Sequence, residues 1–448
     1  MQYSNQPKPN GSGVAAASQP DAPQGGYRDV VWAGIFLANV VLVIVGAGLN
    51  YKNIEFGSGS QTSSNDKSKG IIAALVVSFV GSIVFSNLWI RYLCRPSVAS
   101  NIIKTAIFVN VGFTIFGVIA AFATGQLVVG IIALVLCAIT VAWYYFVRHR
   151  IPFTAVMLEM AAKCTREFQS TLYIAITMQF VSLAWCVLWI IAILGSFPSG
   201  KEQNSFVAFL LILSLYWTVN VLMNVVQVSV GGIAATWFYR SQTENVVSSS
   251  FKRACTTSFG SICLGSFIVS VIEALRAIAR SASQDNRNAF LVCIVDCILG
   301  IIQAIAEFIS KYAYAYVAIW GQDFCTAAKN TWGLFKNRGF DVIVNDDLSN
   351  LAFALSAFIG AIVGAVIGAL FSWAIVNDGG AVAAAAILGF FLGAFFTGIA
   401  MSVLDACVVT FFVLWAEDSA PLATNHPELH QKLVAAVRKM YPNLQGPI

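Results

Sequence analysis

Trp217, Asn220, Asn224, Gln227 and Gly231 follow one another at spacings of three, four, three and four inside one long apolar run, Phe206 to Tyr239. Residues so spaced share one face of a helix, so they form a stripe. In hydrocarbon an amide without a partner costs several kcal/mol, which means that two Asn and a Gln on one face must meet other helices or a wet cavity. Two readings stand: polar groups bonding across a packed helix interface, or a path for a polar solute with Trp217 as an aromatic surface within it.

Ionisable groups add to the chemistry. Asp296, Gly300, Gln303 and Glu307 trace another helix face with Lys311 a turn beyond, Asp405 lies within a late apolar run, and Glu273 and Arg276 stand at i, i+3. Charged groups inside a membrane span are functional candidates by default. Asp296 has no basic residue within a turn, whereas Glu273 can pair with Arg276 and Glu307 with Lys311, the latter pair leading its helix out of the bilayer. Trp185 lies about 14 residues into its run, roughly 20 Å at 1.5 Å per residue, too deep for an interfacial belt and a candidate partner for Trp217. Aromatic faces with a carboxylate suit an organic cation, because a quaternary ammonium cannot donate a hydrogen bond and is held by cation-π attraction of about 0.5 to 2 kcal/mol per ring.

Other chemistries find no residues. The three His, His149, His426 and His430, fall outside the apolar runs, which leaves a His-based hydrolase or acyltransferase site in the membrane without support. No phosphate-binding Gly-rich loop follows a strand pattern, and the ten Cys contain no CxxC pair, so neither a cofactor nor a metal is expected. No basic run interleaves with aromatics, and the net charge of +5 calls for no nucleic acid.

The elements that position these residues are set by composition. Of 448 residues 58% are hydrophobic and 10% charged, against roughly 25% charged in a soluble domain. A bilayer core of about 30 Å needs about 20 apolar residues per helix. Ten runs qualify: 30–49, 71–90, 102–121, 127–147, 172–194, 206–239, 254–278, 290–309, 351–376 and 381–415. The expectation is an all-α polytopic integral membrane protein of about ten transmembrane helices, with both termini cytoplasmic. That orientation places eighteen Lys and Arg inside against six outside, with Arg276 and Lys311 within helices, as the positive-inside rule requires.

Three regions follow: a cytoplasmic tail over 1–29, disordered by composition and without a signal peptide; a helical domain over 30–418; and a cytoplasmic tail over 419–448. The last holds a short amphipathic helix, Glu428 to Tyr441, expected to rest on the inner membrane surface. The outer loop Asn50 to Lys69 is short and has no glycosylation sequon; the one sequon, at Asn10, falls on the inner tail. Pro152 to Phe168 reads either as a helix in the inner interface or as a loop, and Ala318 to Asn350 as a long polar inner loop. Gly360, Gly364 and Gly368 form a small-residue stripe for close helix packing. The run Phe206 to Tyr239, about 34 residues or roughly 50 Å, exceeds the bilayer core, so a tilt or a hinge at Gly231 and Gly232 is expected.

Four segments carry a family likeness: YWTVNVLMNVVQVSVGGIAATWFY from Tyr216, AYVAIWGQDFCTAAKNTWGLF with its Gly-x-x-Phe-Cys-x-x-Ala pattern, GSFIVSVIEALR from Gly265, and LDACVVTFFVLWAED from Leu404. Over Thr171 to Asp418 the chain resembles the choline transporter-like family, and its short first outer loop is more similar to fungal and protist members than to animal ones. The resemblance implies a plasma-membrane or organellar carrier, the plasma membrane foremost, and not an enzyme, that moves choline or a related amine such as ethanolamine by facilitated or proton-coupled alternating access, with a small organic cation and membrane lipids as its partners. It implies that Trp217, Asn220, Asn224 and Gln227 line the path with Tyr216 and Trp185 as supporting aromatics. Asp296 and Asp405, with Glu307 and Glu273, then serve cation attraction or coupling, and Gly321, Phe324 and Cys325 a structural or gating role at the inner face. The competing reading is a non-transporting scaffold or lipid-handling protein whose polar stripes are packing contacts.

Overall fold

A computed structural model describes residues 26–50, 65–93, 95–196, 205–239, 245–282, 289–376 and 379–441. The first-tail expectations, Asn10 among them, and the tip of the outer loop lie outside these residues. Among the described residues there are fourteen helices and no strand, as expected where lipid cannot satisfy a backbone amide and the helix must do so internally. In chain order they are α1 Val30–Asn50, α2 Asn65–Leu93, α3 Pro96–Ala123, α4 Leu127–Val147, α5 Ile151–Glu167, α6 Ser170–Ser196 and α7 Ser205–Tyr239, then α8 Val246–Cys255, α9 Phe259–Ala282, α10 Ala289–Trp320, α11 Phe324–Val376, α12 Gly379–Glu417, α13 Ala420–Asn425 and α14 Pro427–Met440.

Nine of them (α1 to α4, α6, α7, α9, α11 and α12) are long and apolar enough to cross a membrane. The tenth expected span falls on α10, which has the length, 32 residues, but carries Asp296, Glu307 and Lys311 and is not among the nine. The apolar side chains of α4 face outward almost throughout, Leu134, Ile139 and Phe146 all being exposed; hydrocarbon is the solvent that makes such a surface stable. The protein-packed core gathers toward one end of the bundle, around α5, the second half of α12 and the Tyr312 to Ile319 stretch of α10. Both ends of the described chain lie there: Arg28 donates its backbone N–H to Thr257 O, and His426 stacks on Trp237 at the end of α7.

Close packing explains the glycine stripe. A Cβ on Gly364 would overlap the carbonyl of Gly389, and one on Gly360 the side chain of Thr397. Here α11 and α12 run backbone to backbone, which only residues without side chains permit.

Several expectations are corrected. The polar stretch Ala318 to Asn350 is not a loop: α10 runs through Trp320, and α11 starts at Phe324 and continues to Val376 with one kink at Arg338 (φ −137, ψ 22). Its acids have helix partners, since Asp341 pairs with Arg150, Asp346 with Lys311 at 2.6 Å and Asp347 accepts from Trp143 Nε1 at 2.9 Å. Segment 152–168 is the helix α5, yet it is wrapped by protein rather than laid on a surface, with Met157, Leu158, Met160 and Ala161 fully buried. The carboxy-terminal amphipathic helix docks on that same α5. Leu429 and Leu433 are buried, and Lys432 Nζ reaches Glu159 at 2.8 Å. Finally, α7 is continuous past Gly231 and Gly232. A Cβ at Gly231 would sit 2.8 Å from that of Ala318, and one at Gly232 2.5 Å from Arg253 Nη2, so these glycines admit neighbouring helices and no hinge is seen at them.

Candidate functional site

The stripe on α7 divides along its length. At its first turn Trp217 is packed solid: the ring meets Phe36 of α1 at 5.3 Å and Phe267 of α9 at 4.9 Å, and Nε1 donates to Cys263 O at 2.9 Å. Asn220, one turn on, donates to Ser270 Oγ at 2.9 Å and Glu273 at 2.7 Å. These two residues are interhelical bonds between α7 and α9. Trp185 does not meet Trp217; it belongs to a separate cluster with Val43, Ala47 and Ala192 between α1 and α6. Tyr216 is half-buried on α7 and does not line the cavity described next.

Further along, the stripe opens. A cavity of about 460 Å³ lies between α6, α7 and α12, and its polar lining is Gln179, Asn224, Gln227, Ser402 and Asp405, with Phe395 among the apolar residues. That volume is within the range of small-molecule sites. Asn224 gives its amide N–H groups to Ser266 Oγ (2.9 Å) and Tyr314 Oη (3.3 Å), and Gln227 gives one to the Lys311 carbonyl (2.9 Å). Asn224 is left to offer a ligand its amide carbonyl, and Gln227 its carbonyl and a second N–H; carbonyls attract cations.

Asp405 completes the site. One carboxylate oxygen accepts Lys311 Nζ at 2.9 Å; the other, Oδ1, is buried with no hydrogen-bond partner among the described residues. Asp405 is among the residues that line the cavity and its side chain is one-quarter exposed, so the carboxylate presents negative charge to the cavity although Oδ1 itself is shut off from solvent. Lys311 bridges onward to Asp346 of α11.

The other acids lie elsewhere. Asp296 is held by Arg276 Nε at 2.6 Å and Arg280 Nε at 2.9 Å, both from α9. The pairings expected within single helices therefore do not form: Arg276 turns to Asp296 and to Gln303 (3.0 Å), Glu273 accepts from Asn220, and exposed Glu307 accepts from Gln303 at 2.7 Å. Lys311 likewise finds two carboxylates on other helices facing it in place of Glu307. Sequence reasoning passed over Asp346 because its segment read as a loop, and Phe395 because one Phe among many carries no signal.

The inner-loop signature sits at the bundle end that holds both ends of the described chain. Gly321 adopts φ +65, a conformation glycine takes without penalty, and so turns α10 into α11. The ring of Phe324 packs on Tyr314 at 5.6 Å and its backbone N–H reaches Asp29, while Cys325 is exposed. In the connecting loop burial would raise the Asp323 carboxyl, but bonds from the Thr326 backbone and side chain and nearby Arg28 outweigh it and hold it below the usual carboxylate range.

Long apolar helices with a polar cavity between three of them define a polytopic membrane protein. The chain belongs to the choline transporter-like family: a family profile described as plasma-membrane choline transporter matches residues 131–420. It is 29% identical over 418 residues to a CTL-like protein of Dictyostelium discoideum, covering 90% of this chain and 74% of that one. It is likewise 29% identical to protein PNS1 of Mycosarcoma maydis (83% and 72% covered) and 28% identical to protein PNS1 of Debaryomyces hansenii (97% and 93% covered).

Proposed function

We propose that this membrane transporter moves choline or a related small amine such as ethanolamine, and that the substrate's cationic group binds in the α6, α7, α12 cavity against Asp405. The observation that carries the reading is the Asp405 carboxylate, its side chain one-quarter exposed in a cavity whose other polar walls include the amides of Gln179, Asn224 and Gln227. Phe395 offers the ring that a quaternary ammonium needs. Of the four path residues on α7, Asn224 and Gln227 contact substrate, and Trp217 and Asn220 hold the helix that presents them. We place the bundle end that holds both ends of the described chain in the cytoplasm and the protein in the plasma membrane, on the lysine and arginine distribution and the family. A scaffold reading accounts for the packed Trp217 but gives no use to a carboxylate that lines a polar cavity.

The test is uptake of labelled choline and ethanolamine into liposomes holding the purified protein, beside Asp405→Asn. Wild type should accumulate substrate with or without a proton gradient, and the variant should lose about tenfold or more in apparent affinity, since the charge interaction it removes exceeds about 1.4 kcal/mol. No uptake by wild type under either condition removes the carrier reading; unchanged uptake by Asp405→Asn moves the site elsewhere. For orientation, a variant keeping only Cys325 should react with a membrane-impermeant maleimide after permeabilisation and not in intact cells; labelling in intact cells reverses the topology.

A further inference from the structure

Lys311 is placed where a substrate cation would compete with it. Its ammonium lies 2.6 Å from Asp346 Oδ1 on α11 and 2.9 Å from Asp405 Oδ2 on α12. Its own carbonyl accepts the amide of Gln227, a wall of the cavity. Asp346 has a second tie, accepting from Asn350 at 2.9 Å on its own helix, so it is a fixed berth rather than a mobile one. Two carboxylates and one ammonium leave one net negative charge when all are ionised. That balance fits a single monovalent cation.

We propose that Lys311 is a tethered competitor for Asp405: it neutralises that carboxylate between substrates and is displaced toward Asp346 when a small organic cation binds. The inference rests on the cavity reading above. Like charges at such short range repel, so a cation seated against the exposed part of the Asp405 carboxylate weakens the bond from Lys311 to Oδ2. Asp346 already holds the ammonium, so Lys311 gives up one of its two carboxylates and is not stranded in hydrocarbon. The exchange also loosens the tie between α10 and α12 only while substrate is bound. On release Lys311 returns, supplying the positive charge that helps expel the cation and leaving no bare carboxylate behind.

This role sets opposite signs for two substitutions, which a merely structural salt-bridge network would not. Asp346→Asn removes the alternative berth, so Lys311 grips Asp405 harder and a cation must bind more weakly. Lys311→Met removes the competitor at similar length, so the cation binds more tightly while its release slows. Equilibrium binding of labelled choline to the purified protein should show a dissociation constant raised about fivefold or more in Asp346→Asn and lowered by a similar factor in Lys311→Met. Turnover in liposomes should fall in the second variant despite its tighter binding, and Lys311→Arg should behave as wild type. If Lys311→Met yields no folded protein, Asp346→Asn decides by itself: unchanged or tighter binding overturns the proposal. Wild type that binds and variants that shift together, or do not shift, overturn the role of Lys311 alone. Wild type that binds no cation overturns the cavity reading, and this one with it.

Discussion

The carboxylate of Asp29 accepts the backbone N–H of Phe324 at 3.0 Å, so the residue just before the first helix caps a helix that starts 295 positions later. The same oxygen takes Ser261 Oγ at 2.7 Å, and a Cβ on Gly260 would overlap the carbonyls of Arg28 and Asp29. Asp29 holds this post at φ +49, a region Asp and Asn tolerate better than other side chains. The start of α1 is thereby stapled to α9 and α11.

Asp29→Ala deletes both bonds while keeping the backbone cost, and the stranded N–H adds a penalty of about 1–3 kcal/mol. Asp29→Gly loses the same bonds but relaxes the backbone, and Asp29→Asn keeps one acceptor. Thermal unfolding in detergent should rank wild type first, then Asn, Gly and Ala. An Ala variant that melts with wild type would show that the staple adds nothing.

The cap at Asp323 gives a pH signature. Thr326 donates its backbone N–H to Asp323 at 3.0 Å, and the carboxyl is held below its ordinary value. A lowered native-state value means stability that is present above the unfolded-state pKa of about 3.9 and is lost as pH falls through the native one. The melting gap between wild type and Asp323→Asn should be constant well above the unfolded-state value and close as pH falls through the lower native-state one. A gap that persists to low pH would mean that charge is not what the cap uses.

Two glycines on the hairpin of α11 and α12 should respond in opposite ways. Gly364→Ala drives a Cβ into the Gly389 carbonyl and should cost about 1–3 kcal/mol or more as the helices are forced apart, seen as poor yield of monodisperse protein. Gly398 lines the cavity, and a Cβ there meets nothing within 4 Å. Gly398→Leu should fold and melt as wild type yet lose cation binding by filling the site. Normal choline binding by that variant would place the substrate outside this cavity.

Trp217 and Asn224 separate packing from substrate binding. Trp217→Ala opens the core between α1, α7 and α9 and should cost about 3–5 kcal/mol, lowering uptake only in proportion to folded protein. Asn224→Ala should lower melting as well, through its lost bonds to Ser266 and Tyr314, but should reduce choline affinity of the folded protein by about tenfold, a loss of about 1.4 kcal/mol in substrate binding. The prediction fails if Trp217→Ala melts normally and its choline affinity falls instead.

Lipid makes much of this protein legible in one dimension. A span must be about 20 apolar residues long and helical because no other backbone is satisfied in hydrocarbon, and so nine of the ten expected runs coincide with long apolar helices. The spacing of Gly360, Gly364 and Gly368 announced a close crossing for the same kind of local reason. The likeness around Tyr216 and Gly321 reached the family. What spacing could not decide was who faces whom. Nothing local distinguishes Trp217, sealed by Phe36 and Phe267, from Gln227, which walls a cavity, although they share one stripe. Nor could it pair Lys311 with Asp346 and Asp405 in preference to its neighbour Glu307, or bring Trp143 to Asp347 across 204 positions. A charge in a low-dielectric interior takes the partner that best replaces its lost water, and which partners are within reach is fixed only when α10, α11 and α12 pack together.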